Sequence, residues 1–274
     1  MLKCAITGAN GVLGKRIREA LPYKFYPYKN NIENYNKILK WLNSNKFDLV
    51  LHLAAIVPTN KVDKNYKKAR SVNVKGTLNI TNAILNSLNP PKWFFYASTS
   101  HVYSALNKDI KLSEKSKIEP YSKYGFTKRD GEKIVEKNFK NKNTKFCIGR
   151  IFSFTDKRQK KSFIIPSLIT KIKTSKNKNV YLSNLNHYRD FIPTKDIVCA
   201  IKTLYNHNTS GIFNIGSGKK FSLKTIANMI AKKYNKKIVF VKNNKPTFLI
   251  SNSDKLKGLG WKPKKFKKNL KYFY

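Results

Sequence analysis

The sequence predicts an α/β protein built on a doubly wound parallel sheet with a smaller second lobe. Strand-like and helix-like segments alternate along the chain, which is typical of a parallel sheet with helices on both faces. Residues 48–55 and 93–98 form near-continuous apolar runs, as central parallel strands do. A glycine-rich turn directly follows the first apolar segment. At 274 residues the chain is long for one simple domain, which leaves room for the lobe.

The predicted strands are short runs rich in apolar residues. The first opens the chain at residues 2–7, and a weaker run follows at 25–28. The runs at 48–55 and 93–98 are placed at the centre of the sheet because they are apolar almost throughout. The remaining predicted strands are 146–151, 212–216 and 237–241.

The predicted helices carry apolar residues at intervals of three or four. The first helix, 12–21, begins at the glycine-rich turn, and the helix at 69–88 carries Val72, Leu78 and Ile84 with this spacing. The other predicted helices are 32–43, 121–139, 164–173, 194–205 and 222–234. Beyond residue 151 the alternation loosens, so the second lobe is expected there.

The net charge of +43 raises the question of a nucleic-acid partner. Only seven of the 57 basic residues are Arg, the side chain that suits bidentate recognition of phosphates and bases. The lysines are spread along the whole chain, and the densest basic clusters lie at 157–161 and 262–271. We therefore interpret them as solvated surface residues, expect no nucleic-acid partner, and expect anionic substrates to be attracted to the surface.

The composition also limits the compartment. No run of about 18 apolar residues is present, and the chain lacks the pattern of a signal peptide. The three cysteines, Cys4, Cys147 and Cys199, are far apart and lie in apolar segments. They are interpreted as buried, reduced thiols, and no metal-binding pattern accompanies them. These observations predict a cytoplasmic protein without a membrane partner.

The glycine-rich turn has the spacing GxxGxxG, with Gly8, Gly11 and Gly14 behind the first strand. Residues without side chains let a pyrophosphate approach the backbone, and the following helix N-terminus offers free N–H groups and a partial positive charge. A glycine triplet alone is also compatible with an ordinary turn. Its place after the first strand favours a dinucleotide site.

A second pattern places Tyr124 and Lys128 on one face of a predicted helix, four residues apart. An ammonium at this spacing can lower the phenol pKa and also hold a cofactor ribose. Composition predicts about three such pairs by chance, whereas this chain holds one. Thr99 follows a buried strand, at the edge where open α/β sheets bind ligands. The alternative is a Ser/Thr turn that merely caps the strand.

Together these segments resemble the extended short-chain dehydrogenase/reductase family, in particular its nucleotide-sugar epimerases, dehydratases and reductases. The resemblance extends over nearly the whole chain and rests on several motifs in the family's order. These motifs are TGANGVLG at 7–14, HLAA at 52–55, NVKGT at 73–77, STSHVY at 98–103, YSKYGFTK at 121–128, RDFI at 189–192, FNIGSG at 213–218 and LGWKP at 259–263.

The resemblance implies roles for individual residues. Tyr124 would be the general acid/base, Lys128 its electrostatic partner and Thr99 a polarising hydroxyl that also contacts substrate. Arg189 would bind the diphosphate of a nucleotide-diphosphate sugar, with Ser100 nearby; the alternative for Arg189 is a salt bridge to Asp190 or Asp196. The residues implied to contact the cofactor are Gly8, Asn10, Gly11, Val12, Leu13, Gly14, Lys29, Asn31, Leu53, Ala54, Ala55, Ala97, Ser98, Tyr124 and Lys128.

Two departures from the family pattern narrow the activity. Dehydratases of the family carry an Asp-Glu pair after the catalytic Thr, whereas this chain has Ser100 and His101, so sugar dehydration is not expected. His101 is interpreted as a polar loop residue rather than a substitute acid. No acidic residue that could bind a ribose diol lies between positions 20 and 32, and Lys24 or Lys29 could accept a 2′-phosphate, which slightly favours NADP over NAD. The alternative is that Glu33 is the acidic residue that binds the ribose.

The expected function is therefore an NAD(P)-dependent nucleotide-sugar epimerase or reductase that transfers a hydride at a sugar carbon. An NADPH-dependent reductase of 4-keto-6-deoxy-sugar nucleotides is one alternative, and a non-catalytic NAD(P)-sensing or RNA-associated protein is another. The resemblance implies a Rossmann domain at 1–153, with 188–206 returning to it. It implies an interleaved C-terminal substrate lobe at 154–187 and 207–274, and a homodimer that pairs through helices beside the YxxxK segment.

Overall fold

The computed structural model describes residues 1–57, 59–242 and 244–264. The strands are β1 Lys3–Thr7, β2 Lys24–Pro27, β3 Leu49–His52, β4 Trp93–Thr99, β5 Lys111–Leu112, β6 Lys145–Ile151, β7 Ser153–Thr155, β8 Asn179–Ser183, β9 His187–Arg189, β10 Phe191–Pro193, β11 Gly211–Ile215, β12 Phe221–Ser222, β13 Lys237–Lys242 and β14 Thr247–Ser251. The basic segment predicted at 262–271 lies mostly outside the described residues.

The helices alternate with the strands of the first half of the chain. They are α1 Val12–Ala20, α2 Tyr35–Asn43, α3 Thr59–Lys64, α4 Tyr66–Arg70, α5 Gly76–Leu85, α6 Lys123–Phe139, α7 Ile164–Thr174, α8 Thr194–Asn206, α9 Leu223–Lys233 and α10 Asp254–Lys257. A π-helical turn, Ser71–Lys75, joins α4 to α5, and a 3₁₀ turn, Ser100–Val102, follows β4. No helix of the described segments is long and apolar enough to cross a membrane.

The main sheet has six strands in the order β11-β6-β4-β3-β1-β2, and every neighbouring pair is parallel. Alternate residues of β1 point to opposite faces, because Cys4 and Ile6 join a core with α1 and α8 while Ala5 joins a core with α2, α5 and α6. The predicted doubly wound sheet is therefore confirmed. The chain leaves β1 toward β2 on one side and returns to β3 on the other, so the topological switch lies between β1 and β3.

The described part of the C-terminal lobe contains short strands that pack with helices α7 and α9. Strands β8 and β13 pair in parallel, and their inner faces share an apolar cluster with α7 and α9. A second small sheet has the strand order β12-β9-β14-β5. Both small sheets combine segments that are distant in sequence, which sequence periodicity alone does not reveal.

Two features differ from the sequence-based expectations. The lobe was expected to include residues 207–274, yet Gly211–Ile215 forms the edge strand of the main sheet, where it pairs with β6. Its apolar residues are buried there, so the second segment of the lobe starts after this strand. Cys199 is exposed rather than buried, because it lies on the outward side of α8; Cys4 and Cys147 are buried as expected.

Candidate active site

The candidate site lies at the carboxyl edge of the main sheet. The strands β1, β3 and β4 are parallel, so Thr7, His52 and Thr99, which end them, lie at this same edge. The topological switch between β1 and β3 is here as well. Open α/β sheets bind their ligands in the crevice at such a switch.

The glycine-rich turn forms a cradle that side chains would fill. Gly8 has a φ of +70°, and a Cβ there would lie 2.7 Å from the backbone nitrogen of Ala54. A Cβ on Gly14 would lie 2.5 Å from the carbonyl oxygen of Gly8. Helix α1 begins at Val12 with no side-chain cap, so its first N–H groups face the turn. These residues fit a dinucleotide pyrophosphate, with Asn10 exposed and Leu13 half-buried beside the turn.

A buried polar chain that we did not anticipate braces this cradle. His52 lies with Nδ1 2.7 Å from the Thr7 hydroxyl and Nε2 3.1 Å from the Thr77 hydroxyl. The Ala54 N–H donates to the Thr7 hydroxyl at 3.2 Å, which fixes the segment Leu53–Ala54–Ala55 beside the glycines. Burial, helped by the charge of Lys128, lowers the pKa of His52 to about 3. His52 is therefore a neutral structural residue.

The π-helical turn Ser71–Lys75 also holds the loop after β3. The Asn73 side chain accepts from the Ile56 N–H at 2.7 Å and donates to the Ile56 carbonyl and to the Thr127 hydroxyl. The helix predicted at 69–88 is thus interrupted by the π-helical turn that contains Asn73. Such turns occur frequently at functional sites.

The end of β2 carries the residues predicted to contact the adenosine half of the cofactor. Lys29 is exposed two residues after β2. The Asn31 side chain accepts a hydrogen bond from the Glu33 N–H, and the backbone carbonyl of Asn31 accepts one from the Tyr28 hydroxyl. Glu33 is paired with Lys68 and Ser71, and these contacts lower the pKa of its carboxyl. The carboxylate nearest to β2 in this segment is thus already bound within the protein.

Thr99 and Tyr124 come together where β4 ends and α6 begins. Both are buried, and the Thr99 hydroxyl lowers the pKa of the Tyr124 phenol against the larger, opposite effect of burial. Thr99 also accepts from the His101 N–H at 3.3 Å, and Ser122 caps α6 through the Gly125 N–H. A Cβ on Gly125 would lie 2.3 Å from the His101 carbonyl, so glycine lets the helix approach the strand end.

Lys128 lies one helical turn after Tyr124 and is also buried. Its Nζ is 4.0 Å from the ring centroid of Tyr96, and burial lowers the pKa of Lys128 to about 7 against the opposing charge of Glu132. Spacing predicts that Lys128 lowers the phenol pKa of Tyr124. In the structure burial raises the pKa of Tyr124, and the opposing effect comes from Thr99. The ammonium over Tyr96 accounts for this difference.

His101 faces the same space as Tyr124. Its ring stacks on Tyr121 and meets Tyr124 edge-on, and its Nδ1 is 3.4 Å from the hydroxyls of Tyr121 and Ser122. Burial and the charge of Arg189 lower the pKa of His101 to about 4. The neighbouring Ser100 is buried. His101 is therefore neutral and belongs to the site. The sequence had indicated a polar loop residue instead.

Arg189 ends β9 near His101 and Tyr121, whose ionisation it affects. Its Nη1 donates to the carbonyls of Tyr188 and Thr247 and to the Thr247 hydroxyl. No carboxylate of the described segments forms a salt bridge with it, so the alternative of a bridge to Asp190 or Asp196 is wrong. Asp190 and Asp196 instead accept hydrogen bonds from backbone N–H groups.

Ser98 and Ala97 lie in β4 just before Thr99. The Ser98 hydroxyl donates to Glu132 at 2.6 Å, so its side chain points to the buried interior. Glu132 forms a buried ion pair with Arg150. Sequence reasoning missed this pair, although an acidic residue four positions after Lys128, in a chain with only 14 acidic residues, was a usable signal.

The sequence is similar to known proteins over most of its length. A family model described as GDP-mannose 4,6 dehydratase matches residues 10–271. The ADP-L-glycero-D-manno-heptose-6-epimerase of Brachyspira hyodysenteriae is 28% identical over 208 residues, which cover 73% of this chain and 64% of that protein. The chain thus spans less than two thirds of this relative. The GDP-6-deoxy-D-mannose reductase of Pseudomonas aeruginosa is 23% identical over 238 residues, covering 82% and 78%.

A solved structure shows the same fold. RMD from Pseudomonas aeruginosa, complexed with NADPH, aligns with a TM-score of 0.87 at 20% identity and covers 96% of this chain and 94% of that one. The family model extends over nearly all of the described fold, including the glycine cradle from Asn10 and the Thr99–Tyr124–Lys128 group. The chain belongs to the family of GDP-mannose 4,6 dehydratase, within the NAD-dependent epimerase/dehydratase group of the extended short-chain dehydrogenases/reductases.

Proposed function

We propose that this protein is an NAD(P)-dependent nucleotide-sugar epimerase or reductase that acts by hydride transfer at a sugar carbon. The observation that carries the proposal is the buried pair of Thr99 at the end of β4 and Tyr124 at the start of α6, with Lys128 one turn further along α6. This group lies at the same sheet edge as a glycine cradle that fits a pyrophosphate. A binding module without catalysis has no need for these three buried polar residues together.

The proton at the reacting oxygen is assigned to Tyr124. Because burial raises the pKa of its phenol, Tyr124 is protonated at neutral pH and can donate to a sugar carbonyl oxygen. Thr99 orients the phenol and can donate a second hydrogen bond to the same oxygen. A bound nicotinamide supplies or accepts the hydride. Lys128 would hold the ribose of the bound cofactor, since its ammonium lies over the Tyr96 ring and not against the phenol.

The residues after Thr99 favour epimerisation or reduction over dehydration. Elimination of water from a sugar requires an acid or base beyond Tyr124. Ser100 and His101 occupy the positions where the family's dehydratases carry a carboxylate pair. His101 has a pKa of about 4 and is neutral near pH 7, so it lacks the proton that an acid must donate.

Three further assignments belong to this proposal. Lys29 would contact the 2′-phosphate of NADP, which the pairing of Glu33 with Lys68 and Ser71 supports, since no free carboxylate remains there for a ribose diol. Arg189, whose Nη1 is fixed by backbone carbonyls, would bind the substrate diphosphate. The protein would pair as a homodimer through α5 and α6, where Leu78 and Phe126 are 39% and 49% exposed.

The test is to identify the cofactor and follow its fate. Purified protein is denatured, and any released nicotinamide nucleotide is identified by mass spectrometry. Stoichiometric NAD supports an epimerase that returns its hydride. An empty site that binds NADPH more tightly than NADH, with NADPH consumed when a 4-keto-6-deoxy-sugar nucleotide is added, supports a reductase. Protein that neither retains nor binds a nicotinamide nucleotide refutes the proposal.

A further inference from the structure

Helix α6 presents three ionisable residues at intervals of four. Tyr124, Lys128 and Glu132 therefore lie on one face, which packs against β4 and β6. Their exposures fall from 8% to 2% to 0% along the helix. The acid/base residue is at the shallow end, and a carboxylate lies at the fully buried end. Burying an ionised carboxylate is costly unless it is paired, so its partners need an explanation.

Glu132 uses both of its carboxylate oxygens. Oε1 accepts from the Ser98 hydroxyl at 2.6 Å and from Arg150 Nε at 3.0 Å. Oε2 accepts from Arg150 Nη2 at 2.9 Å and from Arg129 Nη1 at 2.9 Å. These four donors hold Glu132 as a carboxylate with a fixed orientation. Two of the donor residues lie on central strands of the main sheet. Ser98 is in β4, which also carries Thr99, and Arg150 is in the neighbouring β6.

We propose that Glu132 is a positioning residue of the active site, which counterbalances the buried charge of Lys128 and fixes the end of β4. Its link to the strand is direct, because Ser98 immediately precedes Thr99. Its link to Lys128 is electrostatic and runs along one turn of α6. The inference rests on the proposed role of Lys128, and it assigns Glu132 no contact with substrate or cofactor.

The groups around Lys128 leave this task to Glu132. On α6 itself Tyr124 is a neutral phenol, because burial raises its pKa. From β3, His52 is neutral, and from β4 the Tyr96 ring lies under the ammonium as a neutral aromatic face. Burial alone drives Lys128 toward its neutral form, and the charge of Glu132 acts in the opposite direction.

A purely structural salt bridge is the competing explanation, because Glu132 and Arg150 also stabilise the fold. Arg150 continues the network: its Nη1 donates to the Tyr103 hydroxyl at 2.9 Å, and Tyr103 donates to Asn214 at 2.8 Å. Loss of stability in a Glu132 variant therefore does not separate the two explanations. The protonation of Lys128 does, since a purely structural bridge leaves it unchanged.

The experiment follows Lys128 directly, without substrate or cofactor. Protein labelled with ¹³C at the lysine Cε atoms is titrated by NMR, and the Lys128 signal is assigned by its loss in Lys128→Arg. We expect a wild-type midpoint near 7, apart from the surface lysines at about 10. In Glu132→Gln the midpoint should fall by about one pH unit or more, because the counter-charge is gone.

Tyr103→Phe is the matched control. It breaks the same network beyond Arg150 but leaves the charge of Glu132 in place, so the Lys128 midpoint should stay at the wild-type value. If Glu132→Gln does not fold, the double variant Glu132→Gln/Arg150→Met removes both members of the buried pair, so that Arg150 is not left without its carboxylate. Lys128 still loses the counter-charge of Glu132, so its midpoint should fall, but by less than in Glu132→Gln because the charge of Arg150 is removed as well.

Two results would overturn the proposal. One is a folded Glu132→Gln or double variant with the wild-type midpoint at Lys128. The other is a wild-type midpoint near that of the surface lysines, because no buried charge would then need a counter-charge. Neither result depends on sugar conversion, so the proposed enzymatic function is tested separately by the cofactor assay.

Discussion

The acid/base group at the sheet edge and the buried carboxylate of Asp190 differ in the number of hydrogen-bond partners that their polar atoms have. Asp190 is fully buried, and its two oxygens accept hydrogen bonds from the loop after β11 and from the end of β14. The donors are the N–H and hydroxyl of Ser217, the N–H of Gly218, and the N–H and hydroxyl of Ser251. Tyr124 has Thr99 as its polar neighbour, and Lys128 has the Tyr96 ring under its ammonium.

The difference separates a structural polar group from one available for chemistry. Asp190 has as many donors as a carboxylate can use, so it holds the segment Gly216–Ser217–Gly218 against β14 and has little capacity left. Tyr124 and Lys128 are buried with fewer partners, and burial shifts both pKa values toward the neutral forms. Strongly shifted, under-paired groups in a crevice are typical of active sites. The neighbouring motif residues Arg189 and Asp190 thus have separate tasks.

The largest effect is expected for Tyr124→Phe. Removal of the proton donor should lower kcat by about a thousandfold, while the melting temperature stays close to wild type because the ring remains packed. The rate is measured as NADPH consumption or epimer formation with the sugar nucleotide that the wild type converts. Thr99→Val serves as a graded comparison, with a smaller loss. A Tyr124→Phe variant that keeps its rate refutes the assignment of the acid/base.

Asp190→Asn should show the reverse pattern. The amide group would meet N–H donors of Ser217, Gly218 or Ser251, so the free energy of unfolding should fall by about 3 kcal/mol while the folded protein still binds NADPH. Urea unfolding measures the loss. The control is Asp254→Asn, whose side chain is 71% exposed beside Lys257 and should leave the unfolding midpoint unchanged. Equal midpoints for the two variants would show that the Asp190 hydrogen bonds do not stabilise the fold.

The sequence predicts the sheet edge better than the polar interior. Gly8, Thr99 and Tyr124 are found from local patterns, because each sits at a strand end or a helix start that short-range spacing defines. The partners of Asp190 lie 27 to 61 residues away, and those of Glu132 include a residue 34 positions upstream. No local period encodes such pairs. They become visible only when the strands are placed side by side.

Cys199 illustrates the same limit on a single helix. Its apolar neighbours in sequence predict burial, but the period of α8 turns this position outward while Val198 and Ala200 face the core. The strand Gly211–Ile215 shows it for a whole element. Its apolar pattern predicts a strand but does not say which sheet it joins, and it completes the main sheet instead of the lobe.

The glycine cradle offers a comparison at constant backbone geometry. Gly8 and Gly260 both have positive φ values, +70° and +83°, so an Ala at either position is strained. A Cβ at Gly8 meets the Ala54 backbone, whereas one at Gly260 has nothing within 4 Å. Gly8→Ala should weaken NADPH binding at least about tenfold, and Gly260→Ala should leave it unchanged. Equal affinities, measured by fluorescence titration, would remove the cradle from the proposed cofactor site.

The last prediction concerns the burial of Lys128 and appears as a pH dependence of stability. Its folded pKa of about 7 lies below its ordinary value of 10.5, so between these limits the unfolded chain binds more protons than the folded one. Stability from this group therefore rises with pH across that window, by roughly 1.4 kcal/mol for each unit of pKa difference at most. Lys128→Met removes the effect.

The variant should thus be more stable than wild type at about pH 6, and the difference should shrink toward about pH 10. Urea unfolding at several pH values measures it, with Lys133→Met on the exposed side of α6 as the control, whose difference from wild type should not change with pH. A constant offset for Lys128→Met would mean that Lys128 is as well solvated as Lys133. Of the two residues contrasted with the fully paired Asp190, only Tyr124 would then remain. The chemistry at the sheet edge would depend on Tyr124 and Thr99 alone.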